Sequence, residues 1–124
     1  MNQNKLILIV DDDSRNIFAL SLTLRTRGYQ VMSCSMALEA IRLLEDKDNK
    51  VSLVLMDMMM PEIDGYEAIR LIRNSPIISD IPIIAVTAQA MSGDREKCLA
   101  SGAQSYISKP IDVDRLLIEI ERFI

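Results

Sequence analysis

Three stretches of this chain, residues 6–10, 51–56 and 81–86, are almost unbroken in Ile, Leu and Val, and they constrain the fold most. A strand with one wet face alternates apolar and polar residues, so a run without alternation fits a strand covered on both faces. Shorter, more mixed runs at Val31–Cys34 and Tyr106–Ile107 read as edge or near-edge strands. Between them, apolar residues recur at helical spacing. The first helix carries Ile17, Leu20 and Leu24 and stops at Gly28; the second carries Ala37, Ala40, Ile41 and Leu44 and dissolves into the polar loop 46–50. The third starts near Gly65, turns Ala68, Ile69 and Ile72 inward and ends before Pro76. The fourth, about Ser92 to Ala100, has little apolar face because Asp94, Arg95, Glu96 and Lys97 occupy it. The last runs from Val113 along Leu116, Leu117, Ile120 and Phe123, with Asp112 placed to cap it. Five such strand–helix units predict an α/β fold: a doubly wound five-stranded parallel sheet, order 2-1-3-4-5, with helices on both faces, flavodoxin-like.

A chain of 124 residues suffices for one core, and a single domain over 1–124 is expected. The net charge of −4 argues against direct nucleic-acid binding, and no apolar run approaches the roughly 18 residues of a membrane span. Residues 1–4 are polar and lead straight into a strand, so no signal peptide is visible. Cys34 and Cys98 lack metal-ligand spacing and read as two reduced, partly buried thiols. These features together point to the cytoplasm. The absence of histidine excludes histidine acid/base catalysis and any phosphohistidine within these residues.

The ends of the runs carry the chemistry. The first run meets Asp11-Asp12, the third meets Asp57, the fourth ends in Thr87, and Ser105-Tyr106-Ile107-Ser108 leads to Lys109-Pro110. In a parallel sheet, groups at the carboxyl ends of strands converge on one crevice, between strands one and three for this order. Three carboxylates, a hydroxyl and an ammonium in one crevice suit a divalent metal plus a phosphoryl group, with an aspartate as acceptor. Each residue alone has a blander reading: acids capping a helix, a strand-end threonine, a surface lysine, a turn aspartate. Their joint placement favours the site.

The chain resembles, over its whole length, the receiver domains of bacterial response regulators. The resemblance rests on Leu8-Ile9-Val10-Asp11-Asp12-Asp13, Met56-Asp57-Met58-Met59-Met60-Pro61, Asp64-Gly65, Ala85-Val86-Thr87-Ala88 and Lys109-Pro110. It implies that Asp57 is the phosphoacceptor and that Mg²⁺ is held by Asp12 and Asp57 directly, by Asp11 largely through water, and by the Met59 carbonyl. Asp13 then serves helix entry. Lys109 supplies charge to a phosphoryl oxygen, and the Lys109–Pro110 bond is a candidate cis peptide. Thr87 and Tyr106 form the implied switch, remodelling the face of the fourth helix, fifth strand and fifth helix. Met59, Ala88 and Gln89 match positions that set phosphoryl lifetime, and a bulky Met59 predicts an intermediate to long one. The implied partners are a histidine kinase or histidine phosphotransfer protein and a downstream target on the switch face.

Met58, Met59 and Met60 otherwise read as loop and core packing. Tyr106 has the alternative of a half-buried edge-strand aromatic. The haloacid dehalogenase class also uses an Asp nucleophile, but wants an acid two residues later, where Met59 stands. Asp11 and Asp13 have that spacing, yet Arg15 replaces the expected Thr or Val. A pseudo-receiver would lack an acid or the lysine. The stretches 16–20 and 90–98 resemble receivers of hybrid sensor histidine kinases, whereas Met1 directly before the first strand favours a free-standing regulator.

Overall fold

Alternation within each strand decides where the core sits. The computed structural model describes residues 5–60, 64–88 and 93–124. Its strands are β1 (Leu6–Val10), β2 (Gln30–Cys34), β3 (Val51–Asp57), β4 (Ile83–Thr87) and β5 (Ser105–Ser108). All pair in parallel, in the expected order β2-β1-β3-β4-β5. The two mixed runs are the edge strands, and the unbroken apolar runs are the interior ones. Successive strand side chains point to opposite faces. Leu8, Val10, Val54, Met56, Ile83 and Ala85 therefore join one core layer, and Ile7, Ile9, Leu53, Leu55, Ile84 and Val86 the other.

The helices are α1 (Ser14–Thr26), α2 (Ala37–Glu45), α3 (Gly65–Asn74), α4 (Asp94–Ser101) and α5 (Val113–Phe123). Residues of α2, α3 and α4 pack on the first layer, those of α1 and α5 on the second. Aspartates start three of the five: Asp13, Asp64 and Asp112 each accept a backbone N–H from the first turn. Helix α1 ends as Gly28 predicts. At φ +93° the glycine gives its N–H to the Arg25 carbonyl while Tyr29 reaches back to Leu24, the paired bonds of a Schellman motif.

Several boundaries differ from expectation, β2 and β5 each starting one residue early. β4 starts at Ile83 rather than residue 81, because Pro82 has no N–H for the ladder and the Ile81 N–H turns back to Ile78. β3 runs one residue further than expected, so that Asp57 is the last residue of the strand. The expected start of the fourth helix, with residues 89–92, lies outside the described residues; its described part is Asp94–Ser101. Among the described residues, no helix is long and apolar enough to cross a membrane.

At the opposite end of the sheet from the aspartates, Arg73 of α3 joins two loops, those before β4 and before β5. Its guanidinium donates to the carbonyls of Gly102 (2.9 Å), Ser79 (2.8 Å) and Ile81 (2.6 Å), and to Gln104 Oε1 (2.7 Å). The same Gln104 oxygen accepts the Ile83 N–H at 2.7 Å, which ties in the start of β4. Burial lowers the Arg73 pKa, opposed by the negative charge of Asp80. Sequence reasoning missed this network: an arginine on the polar side of an amphipathic helix looks like a solvated charge.

Candidate functional site

β1 and β3 are neighbours, and both end in aspartate. Asp11 and Asp57 are each only 3% exposed, while Asp12 faces solvent. One carboxylate oxygen from each of Asp11, Asp12 and Asp57 lies within 4.8 Å of the others. Lys109 Nζ stands 3.7 Å from Asp11 Oδ2 and 3.7 Å from Asp57 Oδ2, so one ammonium is shared by two buried acids. The Lys109–Pro110 peptide is cis.

Local backbone holds each acid. Asp11 accepts the Asp13 N–H at 2.9 Å and lies 3.4 Å from the Asn16 amide nitrogen on α1. Asp57 Oδ1 accepts the Met59 N–H at 3.0 Å, which leaves Oδ2 facing Lys109. Asp13 itself turns away, capping α1 through the Arg15 N–H at 2.9 Å. Burial is the largest influence on Asp57 and raises its pKa; the Met59 N–H opposes this, nearby Asp11 adds to it, and Lys109 lowers it. The net direction is upward. A carboxylate in this position lacks positive charge, and a small hard cation on the three oxygens would supply it.

Thr87 is buried at the end of β4, beside the site, and its carbonyl accepts the Lys109 N–H at 2.7 Å. Ala88 follows it at the surface. Tyr106 pairs with Ala85 across β4–β5 and is half-buried against the first core layer. Met58 and Met60 pack in the core as expected, but Met59 is 50% exposed. It lines a recess of about 500 Å³ beside Asp12 and Lys97, so its side chain flanks the site rather than filling the interior. Gln89 lies outside the described residues.

Gly65 also belongs to the site's framework, by a route that sequence did not disclose. A Cβ there would stand 2.5 Å from Met58 Sδ, 2.6 Å from Met58 Cα and 2.8 Å from the Asp57 carbonyl oxygen. The start of α3 therefore lies directly against the segment that carries Asp57. Because two of the three contacts are backbone, a side chain must push that segment. Gly65→Ala is expected to cost about 1–3 kcal/mol, the usual range for overpacking. It should also slow any chemistry at Asp57; urea unfolding and a reaction time course on the same preparation check both.

Comparison with known proteins gives one consistent result. The model of the response regulator receiver domain matches residues 7–121. The polar-differentiation response regulator DivK of Brucella anthropi is 34% identical over 120 residues, covering 97% of this chain and 96% of that protein. The receiver domain of a sensor histidine kinase from Pseudomonas aeruginosa, solved with magnesium coordinated in its active-site cleft, superposes with TM-score 0.86 at 36% identity and 96% coverage of both chains. A CheY-like receiver domain protein from Methanospirillum hungatei gives TM-score 0.84 at 30% identity, over 95% of this chain and 91% of that one.

Proposed function

The chain belongs to the response regulator receiver domain family of two-component signalling, and on that footing we propose that it is a phosphoacceptor, phosphorylated on Asp57 with Mg²⁺ as cofactor. The observation that carries this reading is the meeting of Asp11, Asp12, Asp57 and Lys109 around a buried carboxylate at the end of β3. The donor is a phosphohistidine of a histidine kinase or histidine phosphotransfer protein, since these residues contain no histidine. The setting is the cytoplasm.

Asp57 Oδ attacks phosphorus, the P–N bond of the donor breaks, and its electron pair leaves with the imidazole. The oxygens of Asp11, Asp12 and Asp57, with the Met59 carbonyl, would hold Mg²⁺, which when bound offsets the repulsion between an anionic nucleophile and an anionic phosphoryl group. Lys109 exchanges its contact with the Asp57 carboxylate for one with a phosphoryl oxygen. Phosphorylation adds roughly −1.5 to −2 charge and three acceptor oxygens, by analogy with phosphorylated hydroxyls. Thr87 donates its hydroxyl to one of them, Tyr106 turns inward, and the α4–β5–α5 face is remodelled for a partner. A swing from 1:99 to 99:1 needs about 5.5 kcal/mol of differential interaction. Exposed Met59, with Ala88 and Gln89, governs access of the hydrolytic water, and the bulk of Met59 favours an intermediate to long lifetime.

The test is intact mass after incubation with acetyl phosphate. One phosphoryl group should be gained with Mg²⁺ and none with chelator present. No gain from acetyl phosphate or from a phosphorylated histidine phosphotransfer protein would make the chain a pseudo-receiver.

A further inference from the structure

The recess beside Asp12 contains a reactive atom that phosphoryl chemistry leaves unused, the thioether sulfur of Met59. Among the described methionines only Met59 and Met36 are exposed, at 50% and 45%, while Met58 and Met60 on either side of Met59 are buried. The Met59 side chain lines the recess of about 500 Å³ together with Asp12, Asp64, Tyr66 and Lys97. Its backbone N–H meanwhile donates to Asp57 Oδ1 at 3.0 Å, so the sulfur belongs to a segment tied to the Asp57 carboxylate. Lys97 stands in the same recess with its ammonium 4.4 Å above the Tyr66 ring. The two thiols compete poorly for an oxidant. Cys98 is fully buried, and burial, with Glu39 adding to it, pushes the Cys34 thiol up to about 11, so little of the reactive thiolate forms.

We propose that the Met59 thioether is a site of reversible oxidation by hydrogen peroxide, and that its sulfoxide shortens the life of the phosphoryl group on Asp57. The sulfur lone pair attacks one peroxide oxygen, and an S–O bond forms as the O–O bond breaks. The second oxygen takes the proton of the first and leaves as water; sulfur loses two electrons and the peroxide gains them. The thioether keeps water from its side of the site, whereas a sulfoxide oxygen accepts hydrogen bonds and holds a water there. The recess has room for the added oxygen, and the Lys97 ammonium is a cationic donor within it. The change is confined to the side chain, so the Met59 N–H and carbonyl keep their parts in the site. Met36 stands at the N-cap of α2 and lines no part of this recess, which makes it the internal control. The inference rests on the reading of Asp57 as phosphoacceptor.

The test oxidises the full chain with hydrogen peroxide, removes the excess with catalase and locates the added oxygen by peptide mass. Acetyl phosphate and Mg²⁺ then load Asp57, and intact mass follows decay of the adduct once the donor is removed. Met59 should gain oxygen ahead of Met58 and Met60, and decay should quicken about three- to tenfold, the rate equivalent of roughly one net hydrogen bond. Treatment with the two epimer-specific methionine sulfoxide reductases should restore the original lifetime. Met59→Leu should remove the response to peroxide whatever its own lifetime, and Met36→Leu should retain it. Met59→Gln, which places an acceptor oxygen at similar reach, should decay faster before any oxidation. The proposal is overturned if oxidised Met59 leaves decay unchanged or blocks loading of Asp57. Equal quickening by peroxide in Met59→Leu, or oxidation of Met58 or Met60 ahead of Met59, overturns it as well. An unoxidised chain that takes up no phosphoryl group would instead remove the reading beneath it, and the mass measurement before oxidation distinguishes that case.

Discussion

Replacing Asp57 with asparagine is expected to abolish the phosphoryl adduct, with a fall in initial rate of at least about a thousandfold, and at the same time to change the pH dependence of stability. The first effect follows from chemistry: an amide is a poor nucleophile towards phosphorus, and removal of a covalent nucleophile is among the costliest changes a site can suffer. The second follows from placement. Burial, and Asp11 beside it, raise the Asp57 pKa above the ordinary 3.8 against the opposing pull of the Met59 N–H and Lys109. In the metal-free protein the folded state therefore holds its proton to higher pH than the unfolded chain does. Stability is unimpaired by Asp57 below the unfolded pKa and is lost as pH rises through the folded one, the reverse of a salt-bridged aspartate. Urea midpoints in chelator at several pH values above 3.8 should show that decline in the wild type and a shallower one in Asp57→Asn. Mg²⁺ should stabilise the wild type more than the variant. Equal slopes and equal Mg²⁺ effects would mean that Asp57 is not the strained carboxylate.

The largest loss of stability is expected from Arg73→Ala. Four hydrogen bonds from one guanidinium join α3 to the loops before β4 and before β5. Bonds from a charged donor contribute more than neutral ones, and their removal leaves carbonyl acceptors short of partners; for this set about 2–4 kcal/mol is expected, less than the sum of four separate bonds. Arg73→Lys should recover little, because one ammonium cannot reproduce a planar fork. Close packing of the Arg73 side chain against Gly102, where an added Cβ would meet Arg73 Cγ at 2.8 Å, makes the same point sterically. Denaturant unfolding of the two variants checks the order. Phosphorylation of the folded fraction should persist, since Arg73 lies at the far end of the sheet from Asp57.

Much of this is legible in the sequence. Period-2 strands with both faces apolar, separated by helical repeats, specified a covered parallel sheet, and the mixed runs at Val31–Cys34 and Tyr106–Ile107 marked its edges. Asp11, Asp12, Asp57, Thr87 and Lys109 could be assigned to one end because each follows an apolar run, and parallel strands bring such positions together. Local chemistry also wrote the helix starts at Asp13 and Asp112 and the turn at Gly28, whereas the cap at Asp64 emerged only in the structure. These features depend on near neighbours in the chain or on strand direction, and both are written in sequence.

What tertiary structure alone decided depends on residues far apart in the chain. Met58, Met59 and Met60 are identical side chains in one loop, yet two are buried and the middle one is half exposed, because the loop's path sets which way each points. Nothing local distinguishes Gly65, where an added Cβ would stand 2.6 Å from Met58 Cα, from an ordinary helix-start glycine. Arg73 looks like a solvated charge until Gly102 and Gln104, some thirty residues on, come within reach. The sharing of one Lys109 ammonium by Asp11 and Asp57 is likewise a matter of distance. Sequence by itself determined the sheet, its order and the residues at its carboxyl end, since periodicity and strand direction are properties of the chain; which side chains touch, and how burial tunes Asp57, depended on packing between segments that only the folded state brings together.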